Sequence, residues 1–163
     1  KRRYLPPQSQ HSWFRICIEA AKSEVKALTI LRPLCRTIPE ALSREAHAIL
    51  MRKVEGKLLS GISNIPDPTD TLRRILEDLR VVYTKSGLIN GDLSEFNILF
   101  DGEKPWIIDW PQSVTIKHQN ALELLTRDIS NVLNFFSRKH GLECDLKSTV
   151  NYVQGQSRSV EIN

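Results

Sequence analysis

The chain has 163 residues, 40% hydrophobic and 26% charged, with a net charge of +4 and a pI near 9.1. That make-up fits one globular domain, or a large part of one, able to bury a core without staples. Cys17, Cys35 and Cys144 are too scattered for a disulfide framework or a zinc site and read as reduced packing residues of a cytoplasmic protein, and no run approaches the ~18 apolar residues of a membrane span, so neither a span nor a leader is expected.

Lys1, Arg2 and Arg3 open the chain with no acid before Glu19. Such basicity reads first as solvated surface and second as contact with phosphate, either nucleotide or RNA. Residues 1–11 read as a loop or ordered tail, and Ser12 as the N-cap of a helix. That helix is predicted over Trp13–Leu31, where Phe14, Ile18, Ala21, Val25, Leu28 and Leu31 recur at helical spacing until Pro33 stops it. His47-Ala-Ile-Leu-Met51 suits a buried strand, broken by Glu55-Gly56. After the Pro66-Asp67-Pro68 loop, Thr69 or Asp70 can cap a helix running to about Tyr83 on Leu72, Ile75, Leu76 and Leu79, ended by Gly87. Ile98–Phe100 and Trp106–Ile108 flank Asp101-Gly102, a hairpin signal because the turn needs positive φ. A long helix is predicted over Ala121–Lys139, ended by Gly141, and a weaker one over Leu146–Val153. There is no internal repeat and no low-complexity tract. The total is an α+β domain dominated by helices.

The densest turn chemistry lies between residues 87 and 112. Gly87-Leu-Ile-Asn-Gly-Asp92-Leu-Ser-Glu-Phe-Asn97-Ile-Leu-Phe joins a helix end to the hairpin, and Trp106-Ile-Ile-Asp109-Trp-Pro-Gln112 follows. Phosphoryl transfer uses one carboxylate to orient the incoming hydroxyl, and an amide oxygen with a second carboxylate to hold Mg²⁺ against nucleotide phosphates. Asp92, Asn97 and Asp109 supply that set with hard oxygen ligands, and no His or Cys lies nearby to favour a softer metal. Singly, each reads as structural: Asp92 as a turn residue, Asn97 as a strand-end cap, Asp109 as a turn former before Pro111. Together, at these spacings, they favour the phosphotransferase reading.

Asn90-Gly-Asp-Leu-Ser-Glu-Phe-Asn-Ile-Leu with Ile107-Ile-Asp-Trp-Pro-Gln closely resembles the catalytic and metal-binding loops of RIO kinases, atypical serine/threonine protein kinases. Trp13–Leu28, with Ala20-Ala-Lys-Ser-Glu24, resembles the family's helix C. His47 to Gly56 resembles the strand and hinge that receive adenine, and Asn120 to Phe136 the helix after the metal loop. The match covers roughly residues 1–145 and lies closest to the branch with an N-terminal winged helix, archaeal in flavour. The resemblance implies a protein-kinase-like fold, with the remainder of an N-lobe over residues 1–55 and a trimmed helical C-lobe over 56–163. It implies ATP and Mg²⁺ as cofactors, Asp92 as the catalytic residue, Asn97 and Asp109 as metal ligands, and Glu24, Met51 and Lys53 at the nucleotide, with Glu24 the partner of the ATP-binding lysine. Family members are associated with maturation of the small ribosomal subunit, so a precursor particle and its RNA are expected partners, and the reaction is kinase or ATPase chemistry.

Two departures qualify this. Asn90 stands where the family has His, and it keeps a hydrogen bond without the ring's packing, so activity should be modulated rather than lost. No Gly-rich loop or strand lysine precedes Glu24; both are expected upstream of Lys1, and these residues alone should bind ATP poorly. Small-molecule kinases of the aminoglycoside or choline type share the Gly-Asp…Asn…Asp order, but carry a large helical insert after the catalytic loop. A pseudokinase scaffold would not need all three of Asp92, Asn97 and Asp109, and an RNA-binding motif is missing. Arg127-Asp128 reads as a structural ion pair, Trp106 and Trp110 as packing residues, Met51 as core or adenine wall, and His11, His47, His118 and His140 as structural.

Overall fold

The computed structural model describes the backbone of residues 8–163 and side chains from Trp13 onward, so the Lys1-Arg2-Arg3 segment lies outside the described residues. Helix α1 spans Gln8–Leu31, which moves the start ahead of Ser12 and makes residues 8–11 helical rather than loop. Nothing in Gln8–His11 lacks an amide hydrogen, so the helix extends without penalty. Its C-terminal half carries the burial, with Ala21, Ala27, Leu28 and Leu31 in the core, while Trp13, Phe14 and Ile16 are exposed.

Strands β1 (Ala41–Glu45) and β2 (Ala48–Met51) form an antiparallel hairpin against α1; β1 carried no sequence signal of its own. The strand over residues 48–51 is not buried as its composition suggests. It pairs only with β1 among the described residues, and Leu50 and Met51 remain exposed. β3 (Lys57–Leu58) leads to helix α2 (Pro68–Val81). The cap of α2 is Asp67, not Thr69 or Asp70: its Oδ1 accepts the Asp70 amide at 2.8 Å, and Pro68 occupies the first helical position, where no amide partner is needed. A π-helical turn over Val82–Ser86 continues α2 to Gly87, which adopts φ 67° as its left-handed end.

β4 (Leu88–Ile89), β5 (Ile98–Phe100), β6 (Pro105–Ile107) and β7 (Val114–Thr115) follow. β3, β5 and β6 form a three-stranded antiparallel sheet with β5 central, and β4 pairs separately with β7. The β5–β6 hairpin has Ile98 opposite Ile107, and its Asp101 Oδ1 accepts the amides of Glu103 and Lys104 at 2.9 and 2.8 Å. Helices α3 (Ala121–His140) and α4 (Leu146–Val153) close the fold on α2, and all three share a core of Leu72, Ile75, Leu76, Ile129, Val132, Phe136 and Val153. The three cysteines are free, and no helix among the described residues is long and apolar enough to cross a membrane. What positions the site is the hairpin's open end. Asn97 immediately precedes β5, Asp109 closely follows β6, and the Ile108 amide bonds the Asn97 carbonyl at 2.9 Å between them.

Replacing Asp67 by Ala should lower the unfolding free energy by about 1 kcal/mol, read as a lower urea midpoint at unchanged slope. Thr69→Ala should stay close to wild type. Equal losses in both variants would return the cap to the helix interior.

Candidate active site

The loop after β4 is built on buried polar contacts. Asn90 is buried, and its Nδ2 donates to the Asp109 carbonyl at 2.9 Å while its Oδ1 accepts the Asp92 amide at 3.1 Å. One side chain thus ties the Asp92 loop to the Asp109 loop. Gly91 has φ 83°, and a Cβ there would sit 2.8 Å from the Gln112 carbonyl oxygen, so the close approach of the two loops requires glycine.

Helix α3 grips the same loop from below. The Asp128 carboxylate, 1% exposed, accepts the Gly91 amide at 2.7 Å on Oδ2 and the Leu93 amide at 3.1 Å on Oδ1. Asn131 donates to the Leu93 carbonyl at 3.0 Å, and Arg127 donates to the Gly91 carbonyl. Arg127 and Asp128 are therefore not a self-contained ion pair; each spends its polar atoms on the loop. The sequence signal was available. Asp128 stands between Leu125, Ile129 and Val132, an acid inside the buried stripe of α3, and a buried acid needs a partner.

Asp92, Asn97 and Asp109 meet at the ends of these loops. The Asn97 Nδ2 donates to the Asp92 carbonyl at 2.8 Å, which leaves the amide oxygen for another partner. Asp109 holds φ 65°, an uncommon conformation for a residue with a Cβ, and Trp110 behind it is fully buried with its Nε1 on the Ile107 carbonyl at 3.1 Å. Gln112 donates to Asp92 Oδ2 at 3.2 Å.

A cleft of about 800 Å³ opens between α1 and β2 on one side and the β3–β5–β6 sheet on the other. Glu24, Met51, Lys53, Asn97 and Asp109 all line it; Asp92 is not part of its wall and stands exposed beside it, joined through Asn97. The Lys53 ammonium pairs with Glu55 at 2.7 Å at the surface, so Lys53 offers the cleft mainly its stem. Met51 belongs to the cleft wall rather than to the core.

Like charges collect here. Burial, and then the Asp92 charge, pushes the Asp109 carboxyl up; burial, and then the Asp109 charge, pushes Glu24 up, opposed by the Trp110 amide. Among the described residues none of Glu24, Asp92 and Asp109 forms an ion pair. An uncompensated acidic pair with a free amide oxygen is the donor chemistry of a hard divalent cation. No three His, Cys, Asp or Glu among the described residues cluster tightly enough to enclose an ion alone. Asn97 and Asp109 offer oxygen donors of the kind Mg²⁺ takes in ones or twos before water and phosphate complete its shell.

Comparison with known proteins gives one answer. The sequence profile described as the RIO domain matches residues 1–149. A RIO-type serine/threonine-protein kinase Rio2 of Methanocaldococcus jannaschii is 37% identical over 143 residues, covering 84% of this chain and 52% of the relative. The Caenorhabditis elegans serine/threonine-protein kinase RIO2 is 32% identical over 146 residues, covering 89% of this chain and 27% of the relative. The chain thus spans about half or less of the length of these relatives. Two crystal structures of the Rio2 kinase from Chaetomium thermophilum, each 31% identical, superpose with TM-scores of 0.76 and 0.78. They cover 85% and 94% of this chain and 45% and 50% of theirs; the second is described as an ADP/Mg²⁺-phosphoaspartate complex. The fold is therefore protein-kinase-like, a mixed helix-and-strand arrangement shared with these kinases.

Burial raises the Asp128 carboxyl to about 6, against the two amides and Arg127 that favour its charge. The folded chain holds this proton more tightly than the unfolded chain, whose carboxyl titrates near 3.8, so Asp128 favours folding less as pH rises from about 4 to 6 and changes nothing above. Asp128→Asn should lack that slope in pH-dependent denaturation. Asp128→Ala, which strands two buried amides, should lose about 1–3 kcal/mol for each. An Ala variant of wild-type stability would remove Asp128 from the support of the loop.

Proposed function

This chain belongs to the RIO family, and from that premise we propose that it is the catalytic part of an ATP-dependent serine/threonine phosphotransferase or ATPase. One observation carries the reading: Asn97 and Asp109 share a cleft wall, with Asp92 bonded to Asn97 at its mouth. The cleft also suits a two-lobed reading, residues 1–55 as the remainder of an N-lobe and 56–163 as the C-lobe, since Glu24 to Val54 form one wall and Leu58 to Asp109 the other.

In this reading Asp92 accepts or orients the proton of the attacking hydroxyl or water. The Asn97 amide oxygen and the Asp109 carboxylate hold Mg²⁺, which when bound neutralises charge on the phosphates of ATP. Apolar residues at Ile49 to Met51 and Leu99 give the adenine a wall, the Lys53 stem extends it, and Glu24 beside Asp109 serves as partner to an ATP-binding lysine. Asn90 holds the two loops at their working separation through its two hydrogen bonds. The relative described with ADP, Mg²⁺ and a phosphoaspartate supports this cofactor set. Small ribosomal subunit precursors are the partner we propose, on the family resemblance and the net charge of +4.

Asp92→Ala in the complete protein should cut turnover by about 10²- to 10⁴-fold while nucleotide binding persists, and near-normal turnover would take Asp92 out of the mechanism. Asp109→Asn should weaken nucleotide binding in the presence of Mg²⁺ and leave the Mg²⁺-free affinity alone; titrations in both conditions check it. For the partner, Lys1/Arg2/Arg3→Ala should flatten the salt dependence of precursor-particle recovery by roughly one unit per lost phosphate contact. Identical slopes would detach these residues from RNA.

A further inference from the structure

We propose that Gln112 is a positioning residue which fixes one rotamer of the Asp92 carboxylate and leaves a single oxygen, Oδ1, as acceptor for the attacking group. The inference rests on the phosphotransferase reading and adds a residue to it. The backbone of Asp92 is well held: its amide bonds Asn90 Oδ1 at 3.1 Å and its carbonyl takes the Asn97 Nδ2 at 2.8 Å. Neither contact constrains the carboxylate, which is exposed and would turn freely about its own side-chain bonds. The hydrogen bond to that carboxylate among the described residues comes from Gln112 Nε2, 3.2 Å from Oδ2.

The backbone of Gln112 is itself well held. Its carbonyl lies against Gly91, where an added Cβ would approach to 2.8 Å, and the turn carrying it is pinned by the Ser113 amide on the Trp110 carbonyl at 3.2 Å. Trp110 is fully buried. The Gln112 side chain is exposed, but it springs from a fixed backbone, and its reach to Asp92 is short because only glycine stands between the loops. The same segment carries Asp109, so one backbone path places both the proposed metal ligand and the group that orients the proposed base. Of the two side-chain groups on Gln112, only the amide N–H can hold a carboxylate; a carbonyl or carboxylate in its place would repel it. Freeing Asp92 would cost orientation of the attacking oxygen rather than nucleotide affinity.

The test uses the complete protein with Gln112→Ala, Gln112→Glu, Asp92→Ala and the Asp92→Ala/Gln112→Ala pair. Turnover with ATP, affinity for ADP with Mg²⁺, and thermal midpoint are measured for each. We expect kcat to fall roughly tenfold to a hundredfold in Gln112→Ala, the loss of one hydrogen bond to a charged group, with ADP affinity and thermal midpoint unchanged. Gln112→Glu, equal in size but without the donor, should fall at least as far; a role in packing alone would spare it. On the Asp92→Ala background, Gln112→Ala should have no further effect on turnover, because its action passes through the missing carboxylate. Additive losses in the pair, or full activity in Gln112→Glu, would overturn the inference while leaving the role of Asp92 intact. Wild-type turnover in Asp92→Ala would instead remove Asp92 from the mechanism and the inference with it, and absence of ATP turnover in the unaltered protein would overturn the phosphotransferase reading beneath both.

Discussion

The buried carboxylate of Asp128 is the contact on which the rest of the site depends. It accepts the amides of Gly91 and Leu93, which bracket Asp92, and so sets the path of the backbone through the proposed catalytic residue. A loop that runs inside a protein needs partners for its amides, and strands cannot supply them at a turn this tight. Helix α3 supplies them instead through Asp128, and its Asn131 and Arg127 donate to the Leu93 and Gly91 carbonyls of the same loop. The packing of α3 on α2 therefore does more than bury apolar surface; it fixes the height at which the Asp92 loop stands above the helical core. The cost is a desolvated acid, visible in the raised Asp128 carboxyl.

The opposite situation holds a few ångströms away. Burial and then the Asp92 charge disfavour the charged form of Asp109, burial and then the Asp109 charge disfavour that of Glu24, and neither gains a cation from the described residues. Asp109 adds a left-handed backbone, which a residue with a side chain adopts only when its surroundings insist. The insistence comes from the buried Trp110 on one side and from the Asn90 amide on the Asp109 carbonyl on the other. Asp128 accepts two backbone amides while Asp109 has no ion-pair partner among the described residues, and the proposed metal role of Asp109 draws on that contrast.

Much of this was legible in the sequence, for stated reasons. Helices α2, α3 and α4 each bury a continuous stripe, so the spacing of their apolar residues located them, and Gly87 and Gly141 marked ends that need positive φ. The Asp92, Asn97 and Asp109 pattern was legible because its members lie on one short hairpin and its flanks. The short strands β3, β4 and β7 were not, because two-residue strands have no period to read. Exposure of β2 escaped for a related reason: an apolar run predicts a strand, while its burial depends on what pairs beside it. The cap of α2 fell to Asp67 because Pro68 can begin a helix and Asp67 alone precedes it.

The contacts that assemble the site were the least legible, since they join residues far apart in the chain. Asp128 reaches back 37 residues to Gly91, and Gln112 reaches 20 to Asp92. Spacing rules describe neighbours on one helix or strand and carry no information across such gaps. What the sequence did show was the anomaly at one end of each contact: an acid on an apolar helical face, and a glycine directly before the acid of the loop. Each anomaly is costly by itself, through desolvation for Asp128 and backbone entropy for Gly91. The two meet in one contact: the Gly91 amide donates to Asp128, while the missing Cβ of Gly91 lets the Gln112 carbonyl approach. Two unfavourable residues in sequence thus resolve into one arrangement that holds Asp92 between helix α3 and the Asp109 loop.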